Sequence, residues 1–140
     1  MLRVMDVLRS GGVRVAIGGG WGIDALLGEQ TRAHRDLDLS FDADHERRVI
    51  TSLRQAGFSL HEDQRPVRFV IQDAAGREID LHPVVFDATG AGVQAGFEGM
   101  LRYRADGLPP GTSMDRRCCA SRRLAGGVPL GLPTDGEARA

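Results

Sequence analysis

Three aspartates carry the first chemical suggestion in this chain: Asp36, Asp38 and Asp80. Asp36 and Asp38 stand two apart in Asp36-Leu37-Asp38-Leu39-Ser40-Phe41, where polar and apolar residues alternate strictly. That period of two predicts a strand with both carboxylates on one face and Leu37, Leu39 and Phe41 in the core. The two Cα atoms would lie roughly 7 Å apart, so the carboxylate oxygens can converge on one hard cation. Asp80 falls in a second alternating stretch, with Ile79, Leu81 and Val85 expected on the opposite face. If the two strands are neighbours, Asp80 joins the pair. Three clustered carboxylates repel one another and need bound positive charge to stay ionised at neutral pH. Two Mg2+ ions meet that need, because oxygen donors without Cys or His suit Mg2+ better than zinc. An Asp-x-Asp pair alone more often lines a solvated strand face. The third acid and a glycine run upstream shift the balance toward a metal site.

That run is Gly18-Gly19-Gly20, at an expected strand-to-helix junction. Without side chains there, backbone N–H groups and the helix N-terminus can come close to phosphate oxygens. No Gly-Lys-Ser/Thr follows, so it is not a Walker loop, and it does not fit G-x-G-x-x-G. A glycine triplet by itself is most often a turn.

The elements that must position these groups read as follows. Leu2, Met5 and Leu8 recur at helical spacing and Ser10-Gly11-Gly12 ends that helix. Val13, Val15 and Ile17 alternate as a strand; Ile23, Leu26 and Leu27 at i, i+3, i+4 suggest a short helix closed by Gly28. A polar, Arg-rich connection from Glu29 to Arg35 leads into the Asp36 strand. Asp42 or Asp44 can cap the next helix, whose inner face is Val49, Ile50, Leu53 and Ala56 before Gly57. Val67, Phe69 and Ile71 predict another strand, and Glu78 to Val85 returns as its hairpin partner after Ala74-Ala75-Gly76. The order α, β, α, β, α, β, β predicts an α+β (mixed α/β) fold, a mixed sheet with helices packed on it. Residues 1–106 form the expected core. Residues 107–140 hold four of the six Pro, with Gly and paired Arg, and read as an irregular tail.

Bulk composition narrows the field. At 140 residues the chain is one domain's worth. Eighteen Arg, with no Lys, offset nineteen Asp and Glu, so no basic footprint for nucleic acid stands out. The missing Lys removes any lysine-based phosphate clamp or Schiff base. No stretch is apolar enough for a membrane span or a signal peptide, which makes the cytoplasm the expected compartment. Cys118 and Cys119 are adjacent, a spacing that suits neither zinc nor a secreted disulfide framework.

Taken in order, GGGWGIDALLGEQTRAHRDLDLSFDADH and GREIDLHPV resemble the small antibiotic nucleotidyltransferases. The likeness is to lincosamide nucleotidyltransferases first and aminoglycoside 2″-nucleotidyltransferases second, both in the polymerase-β-like superfamily. It covers roughly Val15 to Arg104, and the combined motif is far more specific than its parts. The resemblance implies a polymerase-β-like nucleotidyltransferase core that moves AMP from Mg·ATP to a hydroxyl of a small molecule, such as a lincosamide. It implies that Gly19 and Gly20 hold the triphosphate, that Asp36 and Asp38 bind metal, and that Asp80 is the third carboxylate, assisting the attacking hydroxyl. Two Mg2+ ions would activate that hydroxyl and neutralise the leaving pyrophosphate.

Trp21, Asp24, His34 and Arg35 also stand at motif positions. Arg32 or Arg35 could neutralise triphosphate charge, or be exposed loop arginines. Trp21 could stack on base or acceptor, though a lone Trp is more often a packing anchor. His82 shares Asp80's face and could touch acceptor or phosphate, or be structural. The resemblance also implies a homodimer. The alternatives are an aminoglycoside nucleotidyltransferase, and a truncated or inactive nucleotide-binding protein or partner-dependent module of the toxin–antitoxin kind. The tail departs from the family pattern and puts turnover in doubt more than fold.

Overall fold

A computed structural model describes residues 2–105 of the chain. Helix α1 (Leu2–Ser10) forms where Met5 and Leu8 supply one buried face, and Gly12, at φ 70°, turns the chain out of it. Strand β1 (Val15–Ile17) runs into α2 (Gly19–Leu27). Gly28 closes α2 in the left-handed conformation at φ 79°, its N–H donating to the Asp24 carbonyl. Strand β2 (Asp36–Asp42) ends in a single 3-10 turn (Ala43–His45), where the Asp42 carboxylate accepts from the Asp44 N–H at 3.1 Å. Helix α3 (Glu46–Gln55) buries Val49 and Leu53. Then come β3 (Phe58–Gln64), β4 (Arg68–Asp73), β5 (Glu78–Phe86), β6 (Gly92–Gly96) and β7 (Gly99–Tyr103).

The sheet has the order β1-β2-β5-β4-β3, and β6 then β7 continue from β5 along a separate path. β2 and β5 run parallel; the other pairings are antiparallel. This is a mixed α+β fold. Leu37, Leu39 and Phe41 of β2, Phe69 and Ile71 of β4, and Ile79 and Leu81 of β5 form one apolar face. Met5 and Leu8 of α1 and Val49 and Leu53 of α3 cover it. Phe41 and Phe69 meet edge to face at 6.0 Å. Each such side chain contributes about 1.5–3 kcal/mol when buried, so this face fixes the register of β2 against β5. None of the described helices is long and apolar enough to cross a membrane.

Several expectations need correction. β3, β6 and β7 were not anticipated. β3 reads FSLHEDQ, with little alternation and a register shift between Leu60 and Glu62. Late in β5 Pro83 and Val84 are both buried, whereas Val85 is 64% exposed. Alternation breaks there because β5 leaves β4 after Leu81 and takes β6 as partner from Val85. α2 forms where expected, but its Ile23, Leu26 and Leu27 stripe faces outward, and Gly22 and Asp24 are its buried residues. The tail expected over 107–140 lies outside the described residues.

Candidate active site

The parallel pairing of β2 with β5 makes a ladder of polar residues on the face away from the core. Asp36 stands opposite Glu78, Asp38 opposite Asp80, and Ser40 opposite His82. Alternation along each strand produces this, since the apolar partners Leu37, Leu39, Ile79 and Leu81 all turn the other way. The two strands are therefore neighbours, as the Asp80 reading required. His82 Nε2 lies 3.7 Å from Asp38 Oδ1 and 3.5 Å from Asp80 Oδ1. One ligand atom from each of Asp38, Asp80 and His82 falls within 4.8 Å of the others. Asp36 sits on the same face one step down the ladder, exposed and outside that group of three.

Asp80 is the most constrained of these carboxylates. Its Oδ2 accepts from Arg68 Nη1 at 2.8 Å, and Arg68 Nη2 reaches both Glu62 oxygens at 3.0 Å. Its Oδ1 is buried with no hydrogen-bond partner among the described residues. Burial pushes the Asp80 carboxyl above the usual aspartate range, opposed by His82 and the Arg68 guanidinium and aided by the Asp38 charge. A buried acceptor without a donor is costly, and a cation shared with Asp38 would satisfy it. The donor set therefore fits a divalent metal.

The glycine turn lies directly against Asp38. The Gly18 N–H donates to the Asp38 carbonyl at 2.9 Å, which ties the turn to β2. Gly19 has φ 54°, and a Cβ there would overlap Asp38 Oδ2 and come within 2.7 Å of Cγ. A Cβ on Gly20 would overlap the His34 ring, and one on Gly22 would lie 2.7 Å from the Ile17 carbonyl. Only glycine lets the first turn of α2 approach the carboxylate this closely.

His34 belongs to a second cluster behind the turn. The Asp24 carboxylate, 5% exposed, accepts from the Thr31 N–H at 3.1 Å and the Thr31 hydroxyl at 2.6 Å, and bonds His34 Nε2. The Thr31 bonds, with help from His34, hold Asp24 below the usual aspartate range. The Trp21 ring stands 4.9 Å from that of His34 and packs on the core. The polar connection before β2 is thereby fastened to α2.

Arg35 lines a cavity of about 180 Å3 with Trp21, His34, Asp36 and Glu78. Arg32 is exposed and donates to the Ala33 carbonyl at 3.3 Å. Sequence reasoning missed three residues around the acids. Arg68 gave no signal, since its reach to Asp80 depends on how β4 pairs with β5. Gln94 and Tyr103 lie on β6 and β7, in a glycine-rich stretch that did not read as strands. Gln94, 7% exposed, bonds His82 Nδ1 through Nε2 at 3.3 Å, and the Tyr103 hydroxyl donates to Gln94 Oε1 at 2.5 Å.

Known proteins resemble this chain in sequence and fold. A family model described as aminoglycoside-2''-adenylyltransferase matches residues 1–118. A lincosamide resistance protein of Staphylococcus haemolyticus is 34% identical over 96 residues, covering 69% of this chain and 60% of that protein. A 2''-aminoglycoside nucleotidyltransferase of Klebsiella pneumoniae is 40% identical over 47 residues, covering 34% of this chain and 27% of that protein. The crystal structure of the lincosamide antibiotic adenylyltransferase LnuA with lincomycin bound superposes with a TM-score of 0.67 at 31% identity, covering 76% of this chain and 68% of that one. The matches thus span 60% or less of these curated relatives. The carboxylate ladder and glycine turn lie within the matched region, and the chain belongs to the aminoglycoside-2''-adenylyltransferase family.

Proposed function

We propose that this chain is a nucleotidyltransferase that moves AMP from Mg·ATP onto a hydroxyl of a small-molecule antibiotic, with a lincosamide as the first candidate acceptor. The observation that carries the reading is the register pair Asp38–Asp80, with the Gly19 turn resting on the Asp38 carboxylate. Asp38 and Asp80, joined by Asp36 from the same face, would hold Mg2+. The metal's contribution is to neutralise charge on the triphosphate and on the pyrophosphate that leaves. The turn and the N-terminus of α2 would offer backbone N–H groups to phosphate oxygens, from a position that Gly19 holds against the Asp38 carboxylate. The acceptor hydroxyl oxygen forms a bond to the α-phosphorus as the bond to pyrophosphate breaks. Arg68 holds Asp80 Oδ2 and so fixes the carboxylate beside Asp38, from where Asp80 would orient the attacking hydroxyl through the metal or take its proton. Positioning and charge neutralisation supply most of the rate enhancement in such transfers.

The lincosamide is favoured because that relative aligns over 96 residues, whereas the aminoglycoside relative aligns over 47. The second reading, an aminoglycoside acceptor, draws on the description of the matching family. Incubation with Mg·ATP and both antibiotic classes, followed by mass spectrometry, separates them. An added adenylyl unit on a lincosamide hydroxyl is the expected product, absent with Asp38→Asn. Modification of aminoglycosides alone selects the second reading. ATP binding with no product on any acceptor leaves a silent nucleotide-binding protein. Light scattering of the same sample tests the homodimer.

A further inference from the structure

The side-chain chain that ends on His82 has a direction. Tyr103 is half-buried, and its hydroxyl keeps its proton because burial raises its pKa, with Ser40 as a hydrogen-bonding neighbour. The hydroxyl donates to Gln94 Oε1 at 2.5 Å, so the Gln94 carbonyl end points to Tyr103. The amide NH2 end must then face His82 Nδ1, 3.3 Å away. An NH2 group can only donate, so Nδ1 accepts, and the proton of the neutral ring resides on Nε2. An independent contact agrees. Nε2 faces Asp38 Oδ1 and Asp80 Oδ1, two carboxylate oxygens that attract an N–H and repel a lone pair.

We infer that Tyr103 and Gln94 are positioning residues that hold His82 as its Nε2–H tautomer, so that His82 is a hydrogen-bond donor in the cleft and not a metal ligand. The cation site is then built from carboxylate oxygen alone, and His82 Nε2–H is aimed at anionic oxygen: the aspartates when the cleft is empty, a phosphate or acceptor oxygen when it is filled. Turning the Gln94 amide over would invert this. Oε1 would accept from Nδ1–H, and the bare Nε2 would face the acids as a ligand, a carboxylate–histidine site suited to zinc. Tyr103 is the group that selects between the two arrangements, from a strand that contributes no acid to the ladder. The choice between donor and ligand rests on the site geometry and stands whether or not the proposed transfer is observed.

The test reads the tautomer directly, by long-range 1H–15N correlation on the imidazole nitrogens of the full chain at a pH where the ring is neutral. Loss of one of the four histidine spin systems in His82→Gln assigns the signal. The wild-type ring should show a protonated Nε2 and a bare Nδ1, and Mg2+ should leave that pattern in place. Tyr103→Phe, which removes only the hydroxyl, should mix the two tautomers. Gln94→Glu should place a proton on Nδ1 and raise Zn2+ affinity at least tenfold over wild type by calorimetry. A bare Nε2 in wild type overturns the inference. So does a Tyr103→Phe spectrum identical to wild type, or Zn2+ binding unchanged in a folded Gln94→Glu. If the tautomer is as stated and no antibiotic is modified, the proposed function fails and this inference holds.

Discussion

Asp80 is pulled in two directions, and removing one of them has a readable effect. In the metal-free protein its carboxyl should titrate above the usual aspartate value of about 3.9, because burial disfavours the charged form more than Arg68 and His82 favour it. Arg68→Met should move that titration to still higher pH, and added Mg2+ should lower it in both proteins; a titration indifferent to Mg2+ would count against a carboxylate metal site. Carboxyl 13C shifts recorded against pH report all three. Asp24 behaves in the opposite sense. Its folded pKa is depressed, so its stabilising contribution is present above the unfolded value and lost as pH falls through the folded one. Asp24→Asn should therefore melt below wild type at pH 7, with the gap closing at pH values under about 3.9. A gap that stays constant down to pH 3 would show that the loss comes from packing and not from charge. Asp36→Asn and Asp38→Asn should each abolish transfer while leaving the melting temperature unchanged or higher, since each removes a repelling charge from the ladder.

A helix and a strand reach one another through positions where any side chain would collide. Gly19→Ala would drive a methyl group into the Asp38 carboxylate at a positive φ, so the turn or β2 must shift. Transfer should fall by about 10²-fold or more, the scale expected when a misplacement near 1 Å reaches the reacting groups. Gly28→Ala is the control. Its φ is also positive, but among the described residues no atom lies within 4 Å of an added Cβ, so it should cost only about 1–2 kcal/mol of stability and spare activity. Comparable kinetic loss in both variants would mean that the turn's fit to Asp38 is unimportant. The same elements show what the sequence could reveal. β2 and the first half of β5 are legible because one face of each is buried, and burial on one face writes itself as alternation; β4 is legible through Phe69 and Ile71, although Val70 between them is buried as well. Their face and the strand carrying each acid followed from that. Arg68 was not legible, because an ion pair across strands depends on the register of β4 against β5, which period alone does not encode. β6 and β7 were missed for a related reason: Gly92, Gly96 and Gly99 interrupt the pattern, and Phe97, Met100 and Leu101 are exposed rather than buried. In α2 the period was read correctly, yet its apolar stripe turned out to face away from the core.

Across the whole molecule, β5 holds the two parts of the sheet together. It pairs with β4 through Leu81, with β2 through Val84 and with β6 from Val85, so the strand bearing Asp80 and His82 also anchors the β6–β7 hairpin. The hairpin end is thinly supported: among the described strands β7 pairs only with β6, and four of its five residues are exposed. Regions of that kind open at lower free energy than the core they border. The amides of β2 and β5 should accordingly exchange slowly with deuterated solvent, and those of β7 orders of magnitude faster. Opening the hairpin would carry Gln94 and Tyr103 away from His82 without unpairing Asp38 from Asp80. The boundary between two cooperative units would thus run through the imidazole itself, so thermal agitation would erase the proton's assigned position while Asp38 and Asp80 stay in register.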